Sequence, residues 1–464
     1  MKLRFRTPVA LCRPLWFAAL ALGCGGDPPC GEAVAPQAEV GRGNVLIVVL
    51  DDVGVEQLGP WGIGPIAANT PTIDCLCERG VRFTQAYASP MCSPTRAEIL
   101  TGVKAIRHGL GGYLRPFVDE TYELPPTDTS LPVVATEAGY RTGLFGKWHV
   151  ATGTGLGAET HPNRFGFERF SGSLANLNVA GVGPKKANSY TMWEKVVDGH
   201  RLVSTTYATT ANVNDALAFV DEVGDDPWMI VLSFNAPHVP LHEPPRSFRD
   251  AEVEGFNDDH TTYLAMLEAA DAELGRFLNS LDAQDLADTT VFVLSDNGTK
   301  TPLIPPSMGG LEGKATVHEG GVRVPMVVSG LGVPAPGVSD ALVATVDLLP
   351  TAAELMGRPA PAAIDGRSFL ATLSDPSLPV HDVVTAAAFD NHTVPMQNLR
   401  QMARSATHKL IVTAEGEQGF EVGPDRLDEG ANLLDGPLSA EEEAAFAALR
   451  QALETEGPSN APTP

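Results

Sequence analysis

Asn44-Val-Leu-Ile-Val-Val-Leu50-Asp51-Asp52 is an uninterrupted apolar run closed by two acids. A run rich in β-branched residues, with no polar alternation, predicts a strand buried on both faces, as in a parallel sheet covered by helices. Acids at its C-terminal end fall where open α/β sheets place their sites. The same pattern recurs. Trp228-Met-Ile-Val-Leu-Ser-Phe234 runs into Asn235-Ala-Pro-His-Val-Pro240, and Val291-Phe-Val-Leu-Ser295 runs into Asp296-Asn297-Gly298. Arg141 to Phe145 ends in Gly146-Lys147-Trp148-His149, and Val324 to Ser329 follows Glu319-Gly-Gly-Val-Arg323. Helical stretches fill the intervals, about Leu131 to Ala138, Thr206 to Val223, Asp258 to Leu281 and Val346 to Met356. This alternation predicts an α/β fold with a large mostly parallel or mixed sheet flanked by helices.

Near residue 375 the texture changes. Val380 to Phe389, Arg400 to Ala406, His408 to Ala414 and Gly419 to Val422 are short and separated by turn-like residues, which predicts a small antiparallel sheet. Ala440 to Glu454, rich in Ala and Glu, predicts a helix. The expected division is a catalytic domain over 44–375 and a small C-terminal α+β subdomain over 376–464.

The chain has 464 residues, 43% hydrophobic and 19% charged, which is the composition of a globular protein. Its formal charge of −25 argues against a nucleic-acid partner, because phosphate binding needs clustered Lys and Arg. The first 24 residues read as a signal peptide: Lys2, Arg4 and Arg6, then the apolar run Leu15 to Leu22, then Gly23-Cys24. Leu-Ala-Leu-Gly-Cys at 20–24 resembles a bacterial lipoprotein box with Cys24 as the lipidated residue. The expectation is an exported protein of the bacterial cell envelope or periplasm, touching the membrane only through that anchor. Residues 25–43, rich in Gly, Pro, Ala and Glu, read as a linker. Of the six cysteines, Cys12 leaves with the signal, and export permits a disulfide from Cys30 to Cys75 or to Cys77.

Met91-Cys-Ser-Pro-Thr-Arg-Ala-Glu-Ile-Leu-Thr-Gly102 carries the strongest chemical signal. Ser93 suits a helix cap and Pro94 the first helical position. Cys92 then sits at a helix N-terminus, where the dipole favours negative charge. Arg96 falls on the same helical face. Asp51, Asp52, Asp296 and Asn297 are hard oxygen donors at two strand ends and suit Ca²⁺ or Mg²⁺ better than zinc. Arg96, Lys147, His149, His238 and Lys314 add cations or potential cations at strand ends and in loops. Taken singly, these fit surface lysines, a core histidine and turn residues. Taken together, in a chain this acidic, they form an electrostatic clamp for an anionic ester.

These stretches resemble the formylglycine-dependent sulfatase family of the alkaline phosphatase superfamily. Cys92, Pro94, Thr95, Arg96, Leu100, Thr101 and Gly102 match the motif that directs oxidation of the cysteine to formylglycine. The Asp-Asp strand end, Gly-Lys-x-His, the Pro-His-x-Pro loop, Asp-Asn-Gly, and Lys followed by Glu-Gly-Gly-x-Arg-x-Pro occur in the family's order. The resemblance covers roughly 44–370. It implies an alkaline-phosphatase-like fold, hydrolysis of sulfate esters, and a maturation enzyme that oxidises Cys92. It implies Ca²⁺, in preference to Mg²⁺, bound by Asp51, Asp52, Asp296, Asn297 and residue 92. Arg96 and Lys147 would stabilise the formylglycine and bind sulfate. In the implied mechanism one hydroxyl of the hydrated aldehyde attacks sulfur. His238 or Lys314 protonates or neutralises the leaving oxygen, and His149 takes the proton of the second hydroxyl, so that sulfate is expelled.

Two departures stand out. The segment after Gly166-Phe-Glu-Arg-Phe170 places Asn176 where some members carry a sulfate-contacting serine, with Ser171 and Ser173 earlier. The family's Tyr-Asp-Leu segment is degraded to Phe420-Glu-Val. The alternatives are a phosphonate or phosphate ester hydrolase on the same scaffold and a non-catalytic lipoprotein that binds sulfated glycans. The expected substrate is a sulfated small molecule or glycan. The pocket is expected to be shaped by the loops of about Leu110 to Glu123, Gly153 to Tyr207 and Thr299 to Gly313.

Overall fold

A computed structural model describes residues 30, 31, 36, 39, 41–116, 118–119, 122–177, 188–248, 258–308, 311–391 and 396–456. The signal segment with Cys12 and Cys24, and most of the linker, lie outside the described residues. None of the described helices is long and apolar enough to cross a membrane.

The first eight strands are β1 (Asn44–Leu50), β2 (Val81–Tyr87), β3 (Arg141–Lys147), β4 (Arg169–Ser173), β5 (Asn188–Ser189), β6 (Met192–Val197), β7 (His200–Ser204) and β8 (Trp228–Ser233). Then come β9 (Thr289–Ser295), β10 (Arg323–Gly330), β11 (Gly337–Ser339), β12 (Val343–Ala344), β13 (Val384–Ala388), β14 (Arg400–Arg404), β15 (His408–Thr413) and β16 (Gly416–Glu421). A 12-stranded sheet runs β11-β2-β10-β9-β1-β8-β3-β4-β6-β5, with β12 beside β2 and β7 beside β6. A 4-stranded antiparallel sheet, β13-β14-β15-β16, follows it in sequence.

At the centre, β1 pairs in parallel with β8 and β9, and β8 pairs in parallel with β3. All of β1 is buried, and its side chains alternate between two cores. Leu46, Val48 and Leu50 meet Tyr263, Met266 and Leu267 of the helix Asp259–Ser280 on one face. Val45, Ile47 and Val49 meet Ala97 and Leu100 of the helix Cys92–Thr101, and Leu349, on the other. Burying each Val, Leu or Ile contributes roughly 1.5–3 kcal/mol, which is why both faces must be apolar. Because these strands are parallel, the segments after β1, β3, β8 and β9 leave from one edge. The strand β10 is antiparallel to β9 and to β2, so the segment before β10 and the segment after β2 reach that same edge.

The helix Ala440–Thr455 opens on a capping box from Ser439 and Glu442. It packs Phe446, Leu449 and Leu453 against Ala403 and Leu410 of the small sheet. The opposite face of that sheet, with Met402 and Ile411, meets Val317, Val322 and Val346 of the larger unit. Cys30 is bonded to Cys75, and Cys77 is a free thiol.

Candidate active site

Cys92 is the first residue of its helix, with Met91 as the extended cap and no side-chain capping bond. Ser93 does not cap the helix as the sequence suggested. Its hydroxyl instead accepts the Leu114 amide at 3.0 Å, so a pocket loop won the hydroxyl from the helix end. Thr95 ties the first turn to the Ser89 carbonyl at 3.0 Å. Gly102, at φ 65°, ends the helix in the left-handed region, where a side chain would be strained. The motif residues around Cys92 therefore build a rigid, fully buried helix start.

The strand ends supply the rest. The Asp51 amide donates to the Ala236 carbonyl and the Asp296 amide to the Leu50 carbonyl, so the ladder holds beyond the strands. Asp52 turns into the left-handed region at φ 72°, and the Tyr263 hydroxyl donates to its carbonyl at 2.7 Å. Of the five non-glycine residues with positive φ among the described residues, Asp52, His149 and Ala315 all lie at this edge. Backbone outliers concentrated this way are held by the surrounding fold and mark functional sites.

Cys92 Sγ lies 3.6 Å from Asp51 Oδ1, 3.9 Å from Asp52 Oδ1 and 3.1 Å from Lys314 Nζ. Lys147 Nζ donates to Asp51 Oδ2 at 2.5 Å, and Lys314 Nζ also donates to Asp52 Oδ1. Four of the five Arg96 guanidinium donors are engaged: Nε and Nη2 donate to Asp296 Oδ2 at 3.0 and 2.8 Å, and Nη1 donates to the Lys147 carbonyl and Ser233 Oγ. Asn297 Nδ2 donates to Asp52 Oδ1 at 2.8 Å, whereas its Oδ1 is buried with no partner. Three carboxylates thus face three cations, all in a setting where an unpaired charge is costly.

The protonation states follow from burial and neighbours. Burial alone would raise Asp52, but the positive charges facing it, Lys314 first and Lys147 after it, outweigh that and hold the carboxyl well below the usual range. Burial and the Asp51 charge push Asp296 up. Burial and Asp296 push the Cys92 thiol up to about 12, against Lys147 and Lys314. Lys314 is raised despite its burial, because Asp52 and Cys92 favour its charge. Burial lowers His238 to about 3, with Lys314 and Lys147 adding to it against Asp52. Burial, Lys147 and Arg96 lower His149.

Both histidines are therefore neutral, and their tautomers can be read from their neighbours. His238 Nδ1 meets the Val239 carbonyl at 2.8 Å and must carry the proton, which leaves Nε2 as a lone pair 3.8 Å from Asp52 Oδ2. His149 Nε2 meets the Leu114 carbonyl at 3.0 Å and must carry the proton, which leaves a buried, unpartnered Nδ1. Donor atoms of Asp51, Asp52, Cys92 and His238 all lie within 4.8 Å of one another, which makes them a candidate metal site. Asp296 stands next to this group and is engaged by Arg96.

A cavity of about 500 Å³ opens over Cys92, within the size range of small-molecule sites. Its wall includes Tyr113 and Arg115, Asn176, and Lys300, drawn from the three loops expected to shape it. Asn176, with a buried unpartnered Oδ1, reaches the cavity. Ser173 instead pairs with Asn235, and Ser171 with Asp215.

The sulfatase family description matches residues 43–358. The chain belongs to the sulfatase family. Bovine (Bos taurus) arylsulfatase A is 31% identical over 388 residues, covering 76% of this chain and 69% of that one. The N-acetylgalactosamine-6-sulfatase of Homo sapiens is 30% identical over 369 residues, covering 74% and 67%. Among solved structures, Ps i-CgsB superposes with a TM-score of 0.74 at 25% identity, covering 91% of this chain and 94% of that one. This sulfatase is accordingly a sulfuric ester hydrolase with the alkaline-phosphatase-like fold expected of it.

Sequence reasoning missed Ser233, Tyr190 and Tyr263. Ser233 ends β8, so the strand-end rule that found Lys147 would have found it too. Tyr190, whose hydroxyl donates to the Asn235 and His238 carbonyls, and Tyr263 support the site from behind and carry no local motif.

Proposed function

We propose that this sulfatase removes sulfate from a sulfated glycan, using formylglycine formed at Cys92 by a maturation enzyme and a Ca²⁺ ion. The observation that carries the reading is Asn297 Oδ1, buried and unpartnered beside three carboxylates and residue 92. A buried carbonyl oxygen without a donor is costly unless a cation completes it. Asp51, Asp52, Asp296 and Asn297 would hold the ion, with His238 Nε2 facing the same group. Oxygen donors at the ends of two adjacent strands suit a hard divalent cation, and the resemblance implies Ca²⁺ in preference to Mg²⁺. Cys92 Sγ stands in for the oxygens of the oxidised side chain. Bound there, the ion supplies Lewis-acid stabilisation of negative charge on oxygen.

The protein groups divide the remaining work. Arg96 spends four of its five donors on Asp296, the Lys147 carbonyl and Ser233, so it acts chiefly as a positioning residue. Lys147 fixes Asp51 and adds positive charge under the sulfate. Lys314, protonated and 3.1 Å from Cys92 Sγ, is placed to give a proton to the leaving oxygen. Neutral His238 presents a lone pair and is not that acid. His149, whose buried Nδ1 has no partner, would take the proton of the residue 92 side chain, the role the resemblance implies for it. Once a divalent ion is added to three acids and three cations, the site is net positive and attracts an anionic ester.

Two observations support the glycan and the location. Ps i-CgsB is solved with k-i-k-neocarrahexaose. The Cys30–Cys75 bond suits an oxidising compartment, in keeping with the export expected from the sequence of residues 1–24. The test joins mass spectrometry of the tryptic peptide Phe83 to Arg96 with turnover of aryl sulfate and aryl phosphate. Formylglycine at position 92 with faster sulfate turnover is the expected result. An intact thiol in every copy, even after co-expression with a maturation enzyme, would sink the mechanism. Faster phosphate turnover would reassign the substrate.

A further inference from the structure

The cavity over Cys92 carries cationic groups that the reaction at sulfur leaves unused. Lys300 follows Asp296-Asn297-Gly298-Thr299, lines the cavity and is exposed. It has no ion pair among the described residues, whereas Lys147 and Lys314 are both committed to Asp51 and Asp52. Arg115 lines the same cavity with its side chain 51% exposed, its Nε and Nη2 donating to the two Asp119 oxygens at 3.3 and 3.4 Å. Tyr113, two residues earlier, is 43% exposed and offers an aromatic face. The chain has 57 acids against 32 Lys and Arg, yet Asp52, already paired with Lys314, is the single carboxylate among the cavity residues. A neutral sugar bearing one sulfate would leave Lys300 nothing to bind. An aromatic face beside two cations suits a sugar ring with an anionic substituent.

We propose that Lys300, assisted by Arg115, forms a second anion subsite, so that the substrate is a glycan with a further anionic group besides the scissile sulfate. That group is a sulfate or a carboxylate on the same or the adjoining sugar, with the ring face against Tyr113. The proposal rests on the sulfate-ester reading above and specifies its substrate. Lys300 acts in binding and takes no part in bond breaking.

The experiment uses enzyme with confirmed formylglycine at position 92. kcat/KM is measured for three disaccharides: one with a single sulfate, one with two sulfates, and one with a sulfate and a uronate. An aryl sulfate is run alongside. A preference of about tenfold for one of the doubly anionic substrates is expected, expressed in KM and weakened by salt. In Lys300→Ala the ratio should collapse toward unity, and in Lys300→Arg it should recover. The favoured arm identifies the group as sulfate or carboxylate. Aryl sulfate turnover with no such preference, or a preference that survives intact in Lys300→Ala, overturns the subsite alone. Failure of the oxidised enzyme on all four substrates overturns the sulfate-ester reading and the subsite with it.

Discussion

Lys314 Nζ contacts both Cys92 Sγ and Asp52, and its charge is favoured there. His238 was the other candidate for the leaving-group proton. Its Nδ1–H is spent on the Val239 carbonyl, and burial with the Lys314 and Lys147 charges disfavours a proton on Nε2 against the pull of Asp52. An acid matters most when the leaving oxygen is a poor anion. Lys314→Ala should therefore lower kcat by ~10²–10⁴ on a sugar or alkyl sulfate, and by under about tenfold on the sulfate of an acidic phenol. A plot of log kcat against leaving-group pKa measures this. Equal losses across the series would return Lys314 to a purely charge-balancing role. The residue types at this site were legible because strand ends and a local motif announce them. What they bond to was not. Ser93 looked like a cap until the Leu114 amide claimed it, and Asp296, besides its place in the expected ligand set, carries an ion pair with Arg96. Both partners come from elements far away in sequence, which no local pattern encodes.

The central strands were legible as elements because burial on both faces forces a continuous apolar run, as in β1, β8 and β9. Strand β2, Val81-Arg-Phe-Thr-Gln-Ala-Tyr87, begins with the alternation of a half-buried strand and went unread; it lies toward the sheet's edge, between antiparallel β10 and the short parallel β11 and β12. Sheet order has no local signal at all. Loops carry the same lesson. The Lys314 loop is fastened by the Ala315 amide to the Pro90 carbonyl at 2.9 Å, and the Ala315 carbonyl accepts Arg400 Nη1 from β14 at 3.1 Å. Asn391 likewise takes the Gly111 and Gly112 amides at 3.0 and 2.8 Å, ahead of Tyr113 and Arg115. The small sheet thus props two pocket loops without touching residue 92. Arg400→Ala should lower kcat several-fold while costing only about 1–2 kcal/mol of stability, and Arg400→Lys should restore part of it. Activity falling strictly in step with Tm would show a general loss of structure in place of a positioning effect.

Across the whole molecule, the two sheets are locked by a buried ion network. Glu319, just before β10, takes Lys409 Nζ of β15 at 2.9 Å and the Tyr87 hydroxyl at 2.9 Å, with Arg404 of β14 at 3.8 Å. Glu429 also takes Lys409, at 3.1 Å, and lies 3.2 Å from His318. Burial alone would raise both acids, but Lys409 leads the charges that hold Glu319 low and bring Glu429 to about 2 from an ordinary 4.5. A folded-state value below the unfolded one adds stability that is complete above about 4.5 and is lost as pH falls toward about 2. Lys409→Met removes the shared cation and leaves two buried acids without it, at a cost of about 3–5 kcal/mol near neutrality. In acid those carboxyls protonate and need no partner, so the gap between wild type and variant should shrink. Thermal melts from pH 7 to pH 2 read this directly, with the two Tm curves converging below about pH 4.5. Curves that stay parallel to the lowest pH would mean that Lys409 holds the sheets together by packing its methylene stem and not by its charge.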